Sequence, residues 1–382
     1  MLGEETRSGL PHLFGMRAPD LVAFLAERGV TCTEPEARRM LAHVLSHGRD
    51  DLTTIARAVP RRVREAVDAM TERTPLELVE RVRDEDDGFV KYLFRHPDGA
   101  LTEAVRIPLH QKGRYTLCLS SQVGCAMKCV FCATGKLGLR RNLRAWEIVA
   151  AWRAVRDDLA AECRATGAEG RISGAVFMGQ GEPFHNYDEV IRAAQVLSDP
   201  CGGRITQEAI TISTVGLVPQ ILRYAREGHA YRLIVSLTSA VPEKRARLLP
   251  VAGRFAMGEL VAALREVHAR LGKRVTVAWV LMGGVNHGED ELAALREHFG
   301  DLPLRVNLVD LNRWAEDDGM RRATDAELRE LVAKLHAMGI ATQRRYSGGR
   351  NKHAACGMLA AKHAEVAEAP PPEAPFWPDA GS

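Results

Sequence analysis

The chain has 382 residues, 46% of them hydrophobic, 26% charged and 5% aromatic, and its 52 basic and 49 acidic side chains leave a net charge of +3. That length suggests about two or three domains and a core large enough to dispense with a disulfide frame. The composition excludes collagen-like, disulfide-scaffold and wholly disordered classes; no apolar run is long enough to span a membrane and the start MLGEETRSGL lacks a signal-peptide layout, so a cytoplasmic location is expected.

Residues 1–75 read as a helical module, with amphipathic stretches at Pro19–Glu27, Glu34–Ser46 and Pro60–Met70. Pro35 and Pro60 sit near helix starts, where a missing N–H costs nothing. Residues 76–110 change to alternation. Leu76-Glu-Leu-Val, Phe89-Val-Lys-Tyr-Leu-Phe and Ala104-Val-Arg-Ile, punctuated by Asp87-Gly88 and Asp98-Gly99, predict a short β-meander linking to the next domain.

Over residues 111–364 strands and helices alternate. Strands are predicted at Tyr115–Ser120, Ile172–Met178, Ala209–Thr214, Arg232–Thr238, Arg274–Leu281, Leu304–Val309 and Ala341–Arg345. Helices are predicted at Ala145–Ala165, Tyr187–Leu197, Leu217–Glu227, Met257–Leu271, Glu289–Phe299 and Asp325–Met338. The alternation implies an α/β class with a parallel sheet and right-handed crossovers. It fits an open doubly wound sheet or a closed or partial barrel, and periodicity does not choose between them. Residues 365–382 carry four acids, five prolines and no Lys or Arg, which predicts a disordered acidic tail. Without that tail the body carries +3 − (−4) = +7.

In parallel α/β folds ligands bind at the C-terminal ends of strands. The loops Met178-Gly-Gln-Gly-Glu-Pro, Ser213-Thr-Val-Gly and Ser236-Leu-Thr begin at such ends, as does a cysteine cluster after the strand at Tyr115. That cluster, Gly124-Cys125-Ala-Met-Lys-Cys129-Val-Phe-Cys132-Ala-Thr-Gly135, is the strongest signal. Three thiolates at this spacing hold three irons of a 4Fe-4S cubane and leave the fourth iron open to a small chelating molecule. A structural zinc site is the rival reading, but it needs four closed ligands, and no fourth Cys or His stands nearby at zinc spacing. In Gly179-Gln-Gly181-Glu182-Pro183 the glycines let backbone approach a ligand and the carboxylate can meet an ammonium.

Two further cysteines stand out. Cys118 lies on the strand before the cluster, where a lone cysteine is ordinarily a small buried apolar residue. Cys356 lies in Ser347-Gly-Gly-Arg-Asn-Lys-His-Ala-Ala-Cys356-Gly-Met, among Arg350, Lys352 and His353, which are expected to favour its thiolate. Cys32, Cys163 and Cys201 read as bystanders. Lys136, Arg140, Arg141 and Arg144 follow the cluster with no acid among them. From Leu331 to Ala364 there is none either, while Lys334, Arg344, Arg345, Arg350, Lys352 and Lys362 are present. Flanking the two reactive loops, these runs read as phosphate contacts to nucleic acid.

C-x-x-x-C-x-x-C after a strand of a βα repeat resembles the radical S-adenosylmethionine superfamily. Ser-Ser-Gln-Val-Gly-Cys-x-x-x-Cys-x-Phe-Cys-Ala-Thr-Gly paired with Ala-Ala-Cys-Gly, together with Leu93-Phe-x-x-x-Asp-Gly and Arg140-Arg-Asn-Leu, resembles the RlmN/Cfr family of radical RNA methyltransferases. The resemblance runs to about residue 363. It implies a partial (β/α)6-type barrel, with the helical module as an RNA-binding accessory. It also implies a 4Fe-4S cluster on Cys125, Cys129 and Cys132, and S-adenosylmethionine contacts at Gly181, Glu182, Ser213, Ser236, Leu237, Thr238 and Asn312.

The implied reaction is methylation of an adenine carbon in ribosomal RNA, and in some members transfer RNA, with C2 ahead of C8. Cys356 would carry the methyl group, Cys118 would resolve the adduct through a transient disulfide, and Glu103 would accept the ring proton. Flavodoxin or ferredoxin would donate the electron to a monomeric enzyme. Three positions depart from the family pattern and bear on the target: Thr238 where His is usual, Asp310 where Pro is usual, and Lys352 in a run that usually contains Asp. A radical enzyme acting on a substrate other than RNA, and a non-enzymatic zinc-stabilised RNA-binding protein, are the rival functions.

Overall fold

The computed structural model describes residues 9–55, 58–312, 320–345, 348–349, 352 and 354–359. The predicted acidic tail, Arg350 and His353 therefore lie outside the described residues. The helical module contains α1 (Ala18–Ala26), α2 (Glu34–Leu41), which runs on into a wider turn at Ala42–Ser46, and α3 (Arg61–Met70). At the starts of α1 and α2 the N-cap N–H groups of Arg17 and Thr33 donate to the Asp20 and Glu36 carboxylates at 2.8 Å, with proline in the first turn of each.

The meander follows as β1 (Glu77–Arg83), β2 (Val90–Arg95) and β3 (Leu101–Pro108). Next come β4 (Arg114–Cys118), β5 (Gln122–Gly124), α4 (Ala133–Lys136), β6 (Leu139–Asn142), α5 (Ala145–Thr166), β7 (Arg171–Phe177), α6 (Tyr187–Ser198) and β8 (Ile210–Thr214). The remainder is α7 (Val218–Glu227), β9 (Arg232–Ser236), α8 (Pro242–Leu248), α9 (Met257–Leu271), β10 (Val275–Leu281), α10 (Glu289–Phe299), β11 (Leu304–Asp310), α11 (Asp325–Ala337) and β12 (Ala341–Arg345).

Ten strands form one sheet in the order β1-β2-β3-β4-β7-β8-β9-β10-β11-β12. It is antiparallel from β1 to β4 and parallel from β4 to β12. The topology thus settles what periodicity left open. Thr116 and Cys118 on β4 line the same cavity as Gln343 and Arg345 on β12, so the parallel part curls around one interior without closing. Inward positions alternate along β9 and β10, at Ile234 and Ser236 and at Ala278 and Val280.

The module is not a tethered bead. Leu13 and Phe14 belong to the same buried cluster as Val306 of the barrel. His12 stacks on Trp146 at the start of α5, and Asp50 accepts two bonds from Arg153 at 2.6 and 2.8 Å. The meander extends the barrel sheet; β2 and β3 are covered on both faces, whereas β1 at the sheet edge is exposed. Val90, Tyr92 and Phe94 pack into the main core, and Tyr92 donates to Asp158 of α5 at 2.7 Å. Phe89, one step out of phase with them, packs with Val105 and Cys118 towards the barrel interior.

Candidate active site

The cluster loop is shaped by its backbone. A Cβ at Gly124 would lie 1.9 Å from the Gly138 carbonyl oxygen, and Lys128 takes φ 54°, so the chain turns sharply on both sides of Cys125. Cys129 and Cys132 face the cavity, and Cys125 is buried beside them. Burial pushes the Cys125 thiol up to about 12 and the Cys129 thiol well up, and each is raised further by its neighbouring cysteines. Cys125 and Cys129, so poorly solvated, need a positive centre to ionise, which a cluster would supply. Among the described residues no three His, Cys, Asp or Glu side chains converge on a point fit for one metal ion.

The second loop sits against the first. Gly179 passes so close to Leu119 that a Cβ would meet its carbonyl oxygen at 2.7 Å, and Gly181 has φ +101°. Glu182 is buried, and burial raises its carboxyl to about 7 against the pull of its hydrogen bonds. Its oxygens accept from Phe184 N and Val215 N, both at 2.9 Å, and its own N–H donates to Gln122 at 2.8 Å. The carboxylate expected to meet a ligand ammonium is thus largely engaged by backbone, although Gly181 and Glu182 both line the cavity.

Ser213, Ser236 and Asn312 line the same cavity. The side chains of Leu237 and Thr238 do not: the strand ends at Ser236, Thr238 turns at φ 59°, and both residues are fully buried behind the wall. The cavity measures about 1280 Å³. That exceeds the range of roughly 300–1,000 Å³ that a single small ligand fills, leaving room for a second one.

Cys118 and Cys356 line this cavity too, and neither is in a disulfide. Cys118 ends β4; burial, then the proximity of Cys356, raises its thiol. The Cys356 loop is tied down by contacts from three directions. Asn312 Nδ2 donates to the Cys356 carbonyl at 3.1 Å, and Gly349 N donates to Asp87 of the meander at 2.6 Å. The cluster loop donates through Ala133 N to the Gly357 carbonyl at 2.8 Å and through Thr134 Oγ1 to the Leu359 carbonyl at 3.1 Å. Desolvation on the cavity wall raises the Cys356 thiol against the pull of Arg345 of β12, the direction opposite to that expected from its basic neighbours, although the residue itself is exposed, as is Lys352.

Glu103 sits on β3, and the next inward residue, Val105, pairs with Cys118. Its carboxylate is buried, 2.9 Å from Lys91 Nζ, and does not line the cavity. Sequence reasoning missed Lys91, because a lysine between apolar residues reads as a solvent-facing strand position. It also missed Asn307, a buried amide on the barrel wall. Several of the cations expected to meet phosphate are already paired with carboxylates. Arg141 is bound to Asp98 and Glu147 and Arg144 to Glu189, while Lys334 pairs with Glu289 and Arg344 with Asp310. Lys136, Arg140 and Lys352 remain exposed.

A glycine-lined cysteine loop at the mouth of a partial parallel barrel defines the class, and residues 119–296 match the Radical SAM superfamily. That superfamily implies a 4Fe-4S cluster and S-adenosylmethionine. A probable RNA methyltransferase of Myxococcus xanthus is 44% identical over 347 residues, covering 88% of this chain and 93% of its own. One from Anaeromyxobacter sp. is 46% identical over 92% and 99%. A probable dual-specificity RNA methyltransferase RlmN of Heliobacterium modesticaldum is 39% identical over 75% of each chain. The crystal structure of a radical SAM methyltransferase from Sphaerobacter thermophilus superposes with a TM-score of 0.81 at 35% identity, covering 92% of this chain and 99% of that one. The chain belongs to the RlmN-like family of radical S-adenosylmethionine RNA methyltransferases. Among the described residues no helix is long and apolar enough to cross a membrane.

Proposed function

We propose that this enzyme methylates C2 of an adenine in 23S ribosomal RNA, with transfer RNA as a further substrate, using two S-adenosylmethionine molecules per methyl group. Cys125, Cys129 and Cys132 are its three cluster ligands. Held there, the cluster with S-adenosylmethionine would supply one-electron radical chemistry, with the electron provided by a flavodoxin- or ferredoxin-like donor. The observation that carries the reading is the meeting of Cys118 and Cys356 in one cavity with Cys129 and Cys132, the Cys356 loop being bonded directly to the cluster loop.

Adenine C2 is too weak a nucleophile to attack a sulfonium methyl, whereas a thiolate does so readily. Cys356 carries the methyl group. Its thiol, raised by desolvation, ionises more readily when a cationic methyl donor is seated beside it. That methyl carbon gives one hydrogen atom to the radical the bound cofactors would supply and bonds to adenine C2, bridging enzyme and base. The unpaired electron left on the ring would return to the cluster as the ring proton leaves. Glu103 takes the ring proton. The Cys118 thiolate attacks Cys356 Sγ, forming the S–S bond and breaking the S–CH2 bond. That electron pair goes to carbon, which takes a proton and leaves as the methyl group. Gly181, Glu182, Ser213, Ser236 and Asn312, with the backbone at Leu237 and Thr238, seat S-adenosylmethionine. Exposed Lys136, Arg140 and Lys352 meet RNA phosphates, with the helical module as accessory.

Mass-spectrometric mapping of ribosomal and transfer RNA from cells with and without the protein tests this. A 2-methyladenine that vanishes with the protein is expected. A methyl group at C8, or unchanged RNA, would overturn the assignment.

A further inference from the structure

Lys91 is an expensive residue. It lies on β2 with its side chain 4% exposed and faces Glu103, itself 1% exposed, at 2.9 Å. The register explains the contact: Lys91 pairs with Val105 and Leu93 with Glu103, so Lys91 and Glu103 are diagonal neighbours on one face. Val105 in turn pairs with Cys118, and Ser120, two residues on, donates to the Glu103 carbonyl at 2.6 Å. The face is the one on which Phe89, Val105 and Cys118 pack against Ala354 and Leu359 of the Cys356 loop. Desolvating two charges returns little stability, and apolar residues of similar volume commonly serve as well or better. A buried ion pair in that setting points to something other than stability.

We infer that Lys91 is a positioning residue for release of the methylated base: its ammonium, 2.9 Å away, orients the Glu103 carboxylate on the sheet face that carries Val105 and Cys118. This rests on the reading of Glu103 as proton acceptor. Without its partner the buried carboxylate loses the contact that fixes its direction. Lys91 itself exchanges neither proton nor electron; the ring proton goes to Glu103 and Lys91 stays as its counter-ion. The role belongs to one step. Methylation of Cys356 needs neither Glu103 nor Lys91, so losing Lys91 stalls the enzyme after the covalent adduct has formed.

The test uses full-length, cluster-loaded enzyme in single turnover with an adenine-containing RNA. Lys91→Met is expected to methylate Cys356 at the wild-type rate, read by peptide mass spectrometry without RNA. It should release the enzyme–RNA adduct about 100-fold or more slowly, the usual scale of a general base. Lys91→Arg should restore most of that rate. Because removing one partner can unfold the protein, Glu103→Gln and the double variant Lys91→Met/Glu103→Gln complete a cycle. If Lys91 acts through Glu103, the double variant releases adduct no more slowly than Glu103→Gln alone. Wild-type release in Lys91→Met, equal loss of Cys356 methylation and release, or additive slowing in the double variant would each overturn the inference. Cys118→Ala serves as the control: no adduct there means the underlying reading has failed, whereas adduct there with none in Lys91→Met means this inference alone has failed.

Discussion

The Cys356 loop must be held in place before RNA enters, and one bond to the meander makes that testable. Asp87 accepts from Gly349 N through Oδ2 at 2.6 Å and from Phe89 N through Oδ1 at 3.1 Å, so the hairpin between β1 and β2 grips the loop by one carboxylate. A hydrogen bond to a charged acceptor contributes about 1.5–3 kcal/mol. Asp87→Ala should therefore raise the loop's open fraction by about 30-fold, taking ~2 kcal/mol and a tenfold change per ~1.4 kcal/mol. Amide hydrogen exchange followed by mass spectrometry on the peptide containing residues 348–359 reads this directly, since local opening sets the exchange rate. Protection there should fall about 30-fold while peptides from β10 and β11 keep theirs. Asp87→Asn, which retains one acceptor oxygen, should lose less. Unchanged protection in Asp87→Ala would show that Asn312, Ala133 and Thr134 hold the loop unaided and would refute the latch.

Two further outcomes follow from the Glu182 loop. Burial raises its carboxyl from 4.5 to about 7, so the folded protein keeps a proton that the unfolded chain releases, and stability falls as pH rises through that window. Relative to Glu182→Gln, cluster-free wild type should lose about 3 kcal/mol between pH 4.5 and 8, from 2.5 units at ~1.36 kcal/mol each. Urea unfolding at both ends of the range checks it; a difference that does not change with pH contradicts the burial argument. Gly181→Ala places a Cβ 2.6 Å from the Gln122 side chain at φ +101°. With about 1–3 kcal/mol of strain, its affinity for S-adenosylmethionine by calorimetry should fall roughly tenfold or more. Unaltered affinity would mean that this turn does not shape the seat.

Much of the fold could be read locally. The helix at Met257–Leu271 occurs as expected, because its apolar spacing and the glycine that follows it act over a few residues. The cluster loop was legible for a different reason: its residue types and spacing have few structural uses. Cys356 stands out by its glycine-bounded basic loop, whereas Cys118 is singled out by the resemblance alone. What stayed hidden depends on distant partners. The β5–β6 hairpin is only three and four residues long and exists because Gly124 lies under Gly138. The short helix α8 was likewise missed; it is seven residues long and rich in charge. Arg141 looks like a free cation until Asp98 and Glu147 arrive from other elements. Lys91 looks solvent-facing until β2 is seen to be covered on both faces.

The central claim is that Cys118 releases a base covalently held by Cys356. Denaturing electrophoresis and mass spectrometry of full-length Cys118→Ala, incubated with S-adenosylmethionine, reductant and RNA, test it most directly. The account predicts a stable enzyme–RNA adduct joined through the carbon on Cys356 Sγ, absent when Cys356 is also replaced by Ala. Methylated Cys356 with no adduct, or normal turnover by Cys118→Ala, would contradict it.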